Sequence, residues 1–234
     1  MVALFVILTI VVCVGVDGIV QWRKSRKEVL ARLWAGELVP IDAFEKMSAP
    51  ADVFLDTGHT WVRLEPSGKA EVGLDSFAQS LLGRVDAVVL PEVGKQVARG
   101  DVLFALRQND RRAAFAAPLD GVVTAVHKDV NWNPEMIHEN PYTYGWICSL
   151  KPRNLAHNLK QLRIAEDARA WLREQAEKFQ QFLASQPMDS MPLGQVLQDG
   201  GRTCPGVLEH VDEGTWKKFN EVFLQPKTKE TQVS

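Results

Sequence analysis

Between Asp86 and Val126 the chain is cut by Pro91, Gly94, Gly100, Pro118 and Gly121 into apolar runs too short to build helices. Runs of this kind, rich in Val, Ala and Phe and bounded by turn residues, suit β-strands. They lie at 86–90, 102–106, 113–116 and Gly121–Val126. Upstream, Thr60–Leu64 alternates, Pro66-Ser67-Gly68 makes a turn, and 70–73 returns as a second strand. A helical insert at 75–82, closed by Gly83, separates the two groups. Many short strands with Gly and Pro at their turns confine residues 53–153 to a compact β sandwich or barrel.

The N-terminus has a different character. Residues 2–16 are apolar except for Thr9 and the neutral Gly15, and Ile19, Val20 and Trp22 prolong the run past Asp17 and Gly18. At 1.5 Å per residue, about 20 residues cross the roughly 30 Å hydrocarbon core of a bilayer. Trp22 would sit at the headgroup level, and Arg23, Lys24, Arg26 and Lys27 follow it. Basic flanks stay on the cytoplasmic side, so residues 1–22 are expected to form a single-pass transmembrane helix of the inner (cytoplasmic) membrane. The rest of the chain is then cytoplasmic. Asp17 would reach water or the basic cluster, or contact a partner helix. Residues 23–52 are expected to form a juxtamembrane amphipathic helix and a connector broken at Gly36, Pro40 and Pro50.

Beyond Pro152 the period changes again. Leu159, Leu162, Ala165, Trp171, Leu172, Ala176, Phe179 and Leu183 recur at helical spacing. They predict a helix of roughly 25 residues with one apolar face. Residues 187–192 end it, and 213–224 form a second helix with Trp216, Phe219 and Phe223 on one side. The expected class is therefore α+β: a transmembrane helix, a β domain, and a C-terminal helical extension over 154–234. Trp171 and Trp216 either pack back onto the β domain or anchor a partner.

Composition excludes several chemistries. Lys and Arg total 27 against 29 Asp and Glu, a net charge of −2 and no basic excess of the kind nucleic-acid binding needs. Cys13, Cys148 and Cys204 have no C-x-x-C spacing, and the 5 histidines show no H-x-x-x-H or Cys/His pattern, so no metal site is expected.

The run Gly73-Leu-Asp-Ser-Phe-Ala-Gln-Ser-Leu-Leu-Gly83, with Leu90-Pro91-Glu92-Val93-Gly94 after it, resembles the glycine cleavage system H protein. His59-Thr60-Trp61-Val62-Arg63 is similar to that family's His-Glu-Trp opening strand, and Pro118-Leu119-Asp120-Gly121 to its Pro-x-x-Gly turn. Asn140-Pro141-Tyr142, Gly145-Trp146 and Lys151-Pro152 resemble its closing segment. The resemblance covers about residues 54–153 and implies a lipoyl-type β sandwich, a hybrid barrel. In that family a hairpin between landmarks like Gly100 and Pro118 carries lipoic acid on a lysine amine. Aligned without a gap, the lysine position falls on Asp110. The resemblance thus implies the fold together with a missing attachment point, and no cofactor.

Arg107-Gln108-Asn109-Asp110-Arg111-Arg112 replaces the family's tip. Asn109-Asp110 tolerate positive φ and suit a hairpin turn. Arg107, Arg111 and Arg112 are either solvated charges or a docking point for an acidic partner, because guanidinium forks pair with carboxylates. Taken together, these features predict a membrane-anchored accessory or scaffold subunit with no catalytic activity. It would bind the bilayer through residues 1–22 and other subunits of a membrane complex, of respiratory or electron-transfer type, through Arg107, Arg111, Arg112, Trp171 and Trp216. The alternative is a lipoyl carrier of glycine cleavage or a related lipoate-dependent pathway. A thiol-redox role for Cys148 or Cys204 is a third reading.

Overall fold

The structure is a computed structural model, and it describes residues 49–186 and 206–224. The expected membrane span and juxtamembrane helix, with Asp17, Trp22 and Trp34, lie outside the described residues, as do Cys13 and Cys204. Among the described residues no helix is long and apolar enough to cross a membrane.

The elements follow in the order β1 (Val53–Leu55), β2 (Thr60–Leu64), β3 (Ala70–Leu74), α1 (Ser76–Leu82), β4 (Ala87–Val89), β5 (Gln96–Val97), β6 (Val102–Gln108), β7 (Arg111–Ala116) and β8 (Gly121–Val126). Two short helices, α2 (Asp129–Trp132) and α3 (Met136–Glu139), precede β9 (Trp146–Pro152). Then come α4 (Leu155–Leu159), β10 (Arg163–Ile164) and α5 (Ala165–Ala184). The last described stretch holds a 3-10 turn (Val207–His210), α6 (Glu213–Phe219) and a π-helical turn (Asn220–Leu224).

The strands make a seven-stranded sheet, ordered β10-β1-β2-β3-β9-β8-β5, and a three-stranded sheet, β4-β6-β7. One continuous core takes Val62, Val72 and Leu150 from the larger sheet and Phe104, Leu106 and Phe115 from the smaller. The opposite face of the larger sheet is covered too. Trp61 is fully buried there, lies opposite Gly73 on β3, and donates its indole N–H to Pro141 O at 3.0 Å. Gly73 makes room for the ring, since a Cβ there would lie 2.6 Å from Trp61 Cε2.

Helix α1 starts and stops for local reasons. Asp75 caps it, accepting from Ala78 N at 2.9 Å, and Gly83 ends it at φ 68°, a left-handed value that disfavours a side chain. Asp75 also accepts from His59 Nδ1 at 2.8 Å, both side chains being wholly buried. His59 stacks between Phe77 and Trp171, with centroids 4.5 and 4.9 Å away.

The C-terminal segment departs from expectation in two places. The long helix read from 159 to 183 is interrupted: α4 ends at Leu159, and Arg163–Ile164 enter the sheet as β10, pairing with Leu55 and Phe54. An open edge on β1 would leave backbone donors and acceptors unpaired, and covering it outweighs two further turns of helix. This pairing carries the sheet beyond residue 153. The helix over 213–224 is α6 followed by the π-helical turn, which buries Phe223 and Leu224.

Candidate functional site

The hairpin β6–β7 turns through Asn109-Asp110, with Gln108 opposite Arg111 and Arg107 opposite Arg112. Asn109 takes φ 53°, as the turn chemistry expects, and its N–H donates to Asp86 Oδ2 at 2.6 Å. Asp110 is exposed at the tip.

Because side chains alternate along a strand, the hairpin has two unlike faces. Its inner face carries Phe104 stacked on Phe115 at 5.2 Å, then Leu106 with Ala113, then Gln108 with Arg111. The Gln108 side chain is buried and donates to Leu82 O and Arg84 O, tying the tip to the end of α1. Sequence reasoning passed over Gln108, which reads as an ordinary polar tip residue. Arg111 is 18% exposed. It donates to Leu208 O at 3.0 Å and to Val211 O, and lies 3.4 Å from Glu213 Oε2. Its guanidinium carbon sits 5.3 Å from the ring centroid of Trp216. The expectation that Arg111 belongs to an exposed docking tip is therefore corrected: carbonyls left open by the 3-10 turn recruit it into the molecule.

Trp171 and Trp216 likewise turn inward, at 6% and 3% exposure. Trp171 is stacked on His59 and roofed by Arg163, 5.1 Å from its centroid. Each completes the molecule's own core, the first of the two uses the sequence leaves open for it. Arg107 and Arg112 are exposed on the outer face, side by side across the ladder.

A prosthetic group attached by an amide needs a primary amine. The hairpin Val102–Ala116 holds no lysine; its tip offers a carboxamide, a carboxylate and guanidiniums. The nearest lysines are Lys95, exposed in the turn before β5, and Lys128, exposed before α2. Lys95 Nζ points back to Val102 O at 3.4 Å.

Other reactive groups are screened. Burial pushes the Cys148 thiol up to about 12, so it stays protonated and unreactive at neutral pH. Burial also holds the His138 pKa below the ordinary histidine value, with Nδ1 against Gln79 Nε2 at 2.9 Å. His127 stacks on Trp146 at 4.4 Å with its Nδ1 2.9 Å from Trp146 O. Among the described residues no group of three His, Cys, Asp or Glu side chains could hold a metal ion.

Known proteins place this architecture. The probable glycine cleavage system H protein of Pyrococcus horikoshii is 38% identical over 115 residues, covering 49% of this chain and 85% of that protein. The glycine cleavage system H protein of Listeria monocytogenes is 39% identical over 121 residues, 52% of this chain and 95% of its own length. A crystal structure of the H protein from Mycobacterium marinum superposes with a TM-score of 0.47 at 26% identity, over 55% of this chain and 99% of that one. The family model described as glycine cleavage H-protein matches residues 54–175, just over half of the chain. The chain belongs to the glycine cleavage H-protein family.

Proposed function

We propose that this chain keeps the H-protein fold as a non-catalytic docking module, held at a membrane by residues 1–22, and no longer carries lipoic acid. The observation behind the proposal is the hairpin tip. In this reading Asp110 stands where the family's lipoyl lysine stands, and no amine is present between Val102 and Ala116. The neighbouring Arg111 is spent on the 3-10 turn and Trp216. The membrane tether rests on the apolar run and its basic flank, and the partner on the architecture of a tethered domain without chemistry of its own. Tethering would raise the local concentration of a cytoplasmic partner near a membrane-bound one.

The relatives favour a second reading, a carrier in glycine cleavage, because the proteins 38% and 39% identical to it are named for that system. That reading needs an attachment lysine outside the hairpin, and Lys95 or Lys128 would have to serve. Intact-mass analysis of the full chain, co-expressed with a lipoate–protein ligase and supplied with lipoate, separates the two. The unmodified mass is the expected result. A lipoyl adduct at any lysine overturns the proposal and restores the carrier.

A further inference from the structure

The outer face of the three-stranded sheet forms one surface. Its rows run Ala87–Arg107–Arg112 and Val89–Ala105–Ala114 across β4, β6 and β7. Ala105, wholly buried, and Ala114, half-buried, sit at its centre, and an open groove of about 360 Å³ is lined among others by Val89, Glu92, Lys95, Ala105 and Arg112. Val89, 41% exposed, lines it, and Val93, 62% exposed, lies in the turn before β5. Trp132, 88% exposed, ends α2, whose Asn131 Oδ1 accepts from Val88 N at 3.3 Å.

That last contact matters, because it blocks the free edge of β4 from pairing with another strand. Whatever meets this region must meet its face. Two like charges placed directly opposite on a ladder repel one another and weaken the hairpin. Neither Arg107 nor Arg112 has a carboxylate within ion-pair distance among the described residues, whereas Arg99 and Arg111 each have one and Arg63 has two. In the groove lining Lys95 joins Arg112 against the single carboxylate Glu92, while Asp86 and Asp110 lie at the hairpin tip.

We infer that this face is a docking surface for an acidic protein segment, whose carboxylates pair with Arg107 and Arg112 while an apolar side chain enters the groove. The inference rests on the docking-module reading above. A planar anionic bilayer would satisfy the charges but has no side chain to fill a concave groove, so a protein segment is the better match.

The test uses full-length protein of verified unmodified mass in neutral detergent. It is titrated with a fluorescein-labelled peptide alternating Leu and Glu, and with a counterpart carrying Gln for Glu. The acidic peptide should bind saturably and weaken as NaCl is raised, and the Gln peptide should not bind. Arg107→Glu with Arg112→Glu should weaken binding by at least about tenfold, while Lys160→Glu with Lys217→Glu, the same charge change on other exposed positions, should leave it unaltered. Equal binding of both peptides, no binding, or no effect of the arginine pair overturns the inference. So does an arginine-dependent association with phosphatidylserine vesicles in place of the peptide, which would assign the face to lipid. A lipoyl adduct found by mass ends the proposed function without touching this titration, and a null titration on unmodified chain ends the docking face alone.

Discussion

Arg111 and Arg112 are adjacent in the chain and opposite in fate, because a strand sends consecutive side chains to opposite faces. Arg111 fills two carbonyls of the 3-10 turn and lies over Trp216, so Arg111→Ala strands Leu208 O and Val211 O. The expected cost is about 2–4 kcal/mol, read from the denaturant midpoint, against less than about 0.5 kcal/mol for Arg112→Ala. Equal, small effects of the two substitutions would remove the clamp. A triplet of arginines at a tip gives no hint of which one turns inward; that depends on the strand register and on carbonyls nearly a hundred residues away, neither of which local sequence encodes. His138 gives a pH prediction. Its folded pKa lies below the unfolded value of 6.5 because burial penalises the charged form. The unfolded chain therefore binds the extra proton first, and stability falls as pH drops below about 6.5. His138→Gln should flatten the thermal midpoint between pH 7 and pH 5; a slope that survives assigns the effect to other groups. Cys148, raised by its burial, should resist alkylation by iodoacetamide in the native protein and react on unfolding.

At the scale of elements, β2, β3, β4, β6, β7 and β8 were legible because punctuation and alternation are local properties. Gly83 and Asp75 mark the ends of α1 by their own backbone and side-chain preferences. The same locality explains the failures. Strands β5 and β10 span two residues each, too short for any period to register, and β10 exists only because β1 needs a neighbour. Apolar spacing from Leu159 to Leu183 survives across the break and so disguises it. Position 75 tests how tightly these elements are joined. Asp75→Ala removes the cap of α1 and the partner of His59 Nδ1 together, while His59 Nε2 already lacks one among the described residues. A loss of about 2–4 kcal/mol is expected, more than the roughly 1 kcal/mol of a simple surface cap. A loss near 1 kcal/mol in chemical denaturation would mean that the His59 contact contributes little.

At the scale of the molecule, the segment 206–224 is as much core as any strand. Trp216, Phe219, Phe223 and Leu224 are all buried, and Phe223 packs against Phe77, Phe179, Phe182 and Phe219. Sequence alone leaves packing back and partner anchoring both open for this stretch, because an amphipathic helix looks alike whether its apolar face meets its own domain or another. A chain ending at residue 186 should lose cooperative unfolding, and a sharp transition near that of the full chain would show the β domain to be self-sufficient. The order of synthesis then acquires meaning. Phe77 is made well before Phe223, so on the ribosome the aromatic cluster stays uncovered until the π-helical turn has left the exit tunnel. The domain can close only once residues 206–224 have emerged, and a chain cut short of them would expose a sticky surface that chaperones and proteases recognise.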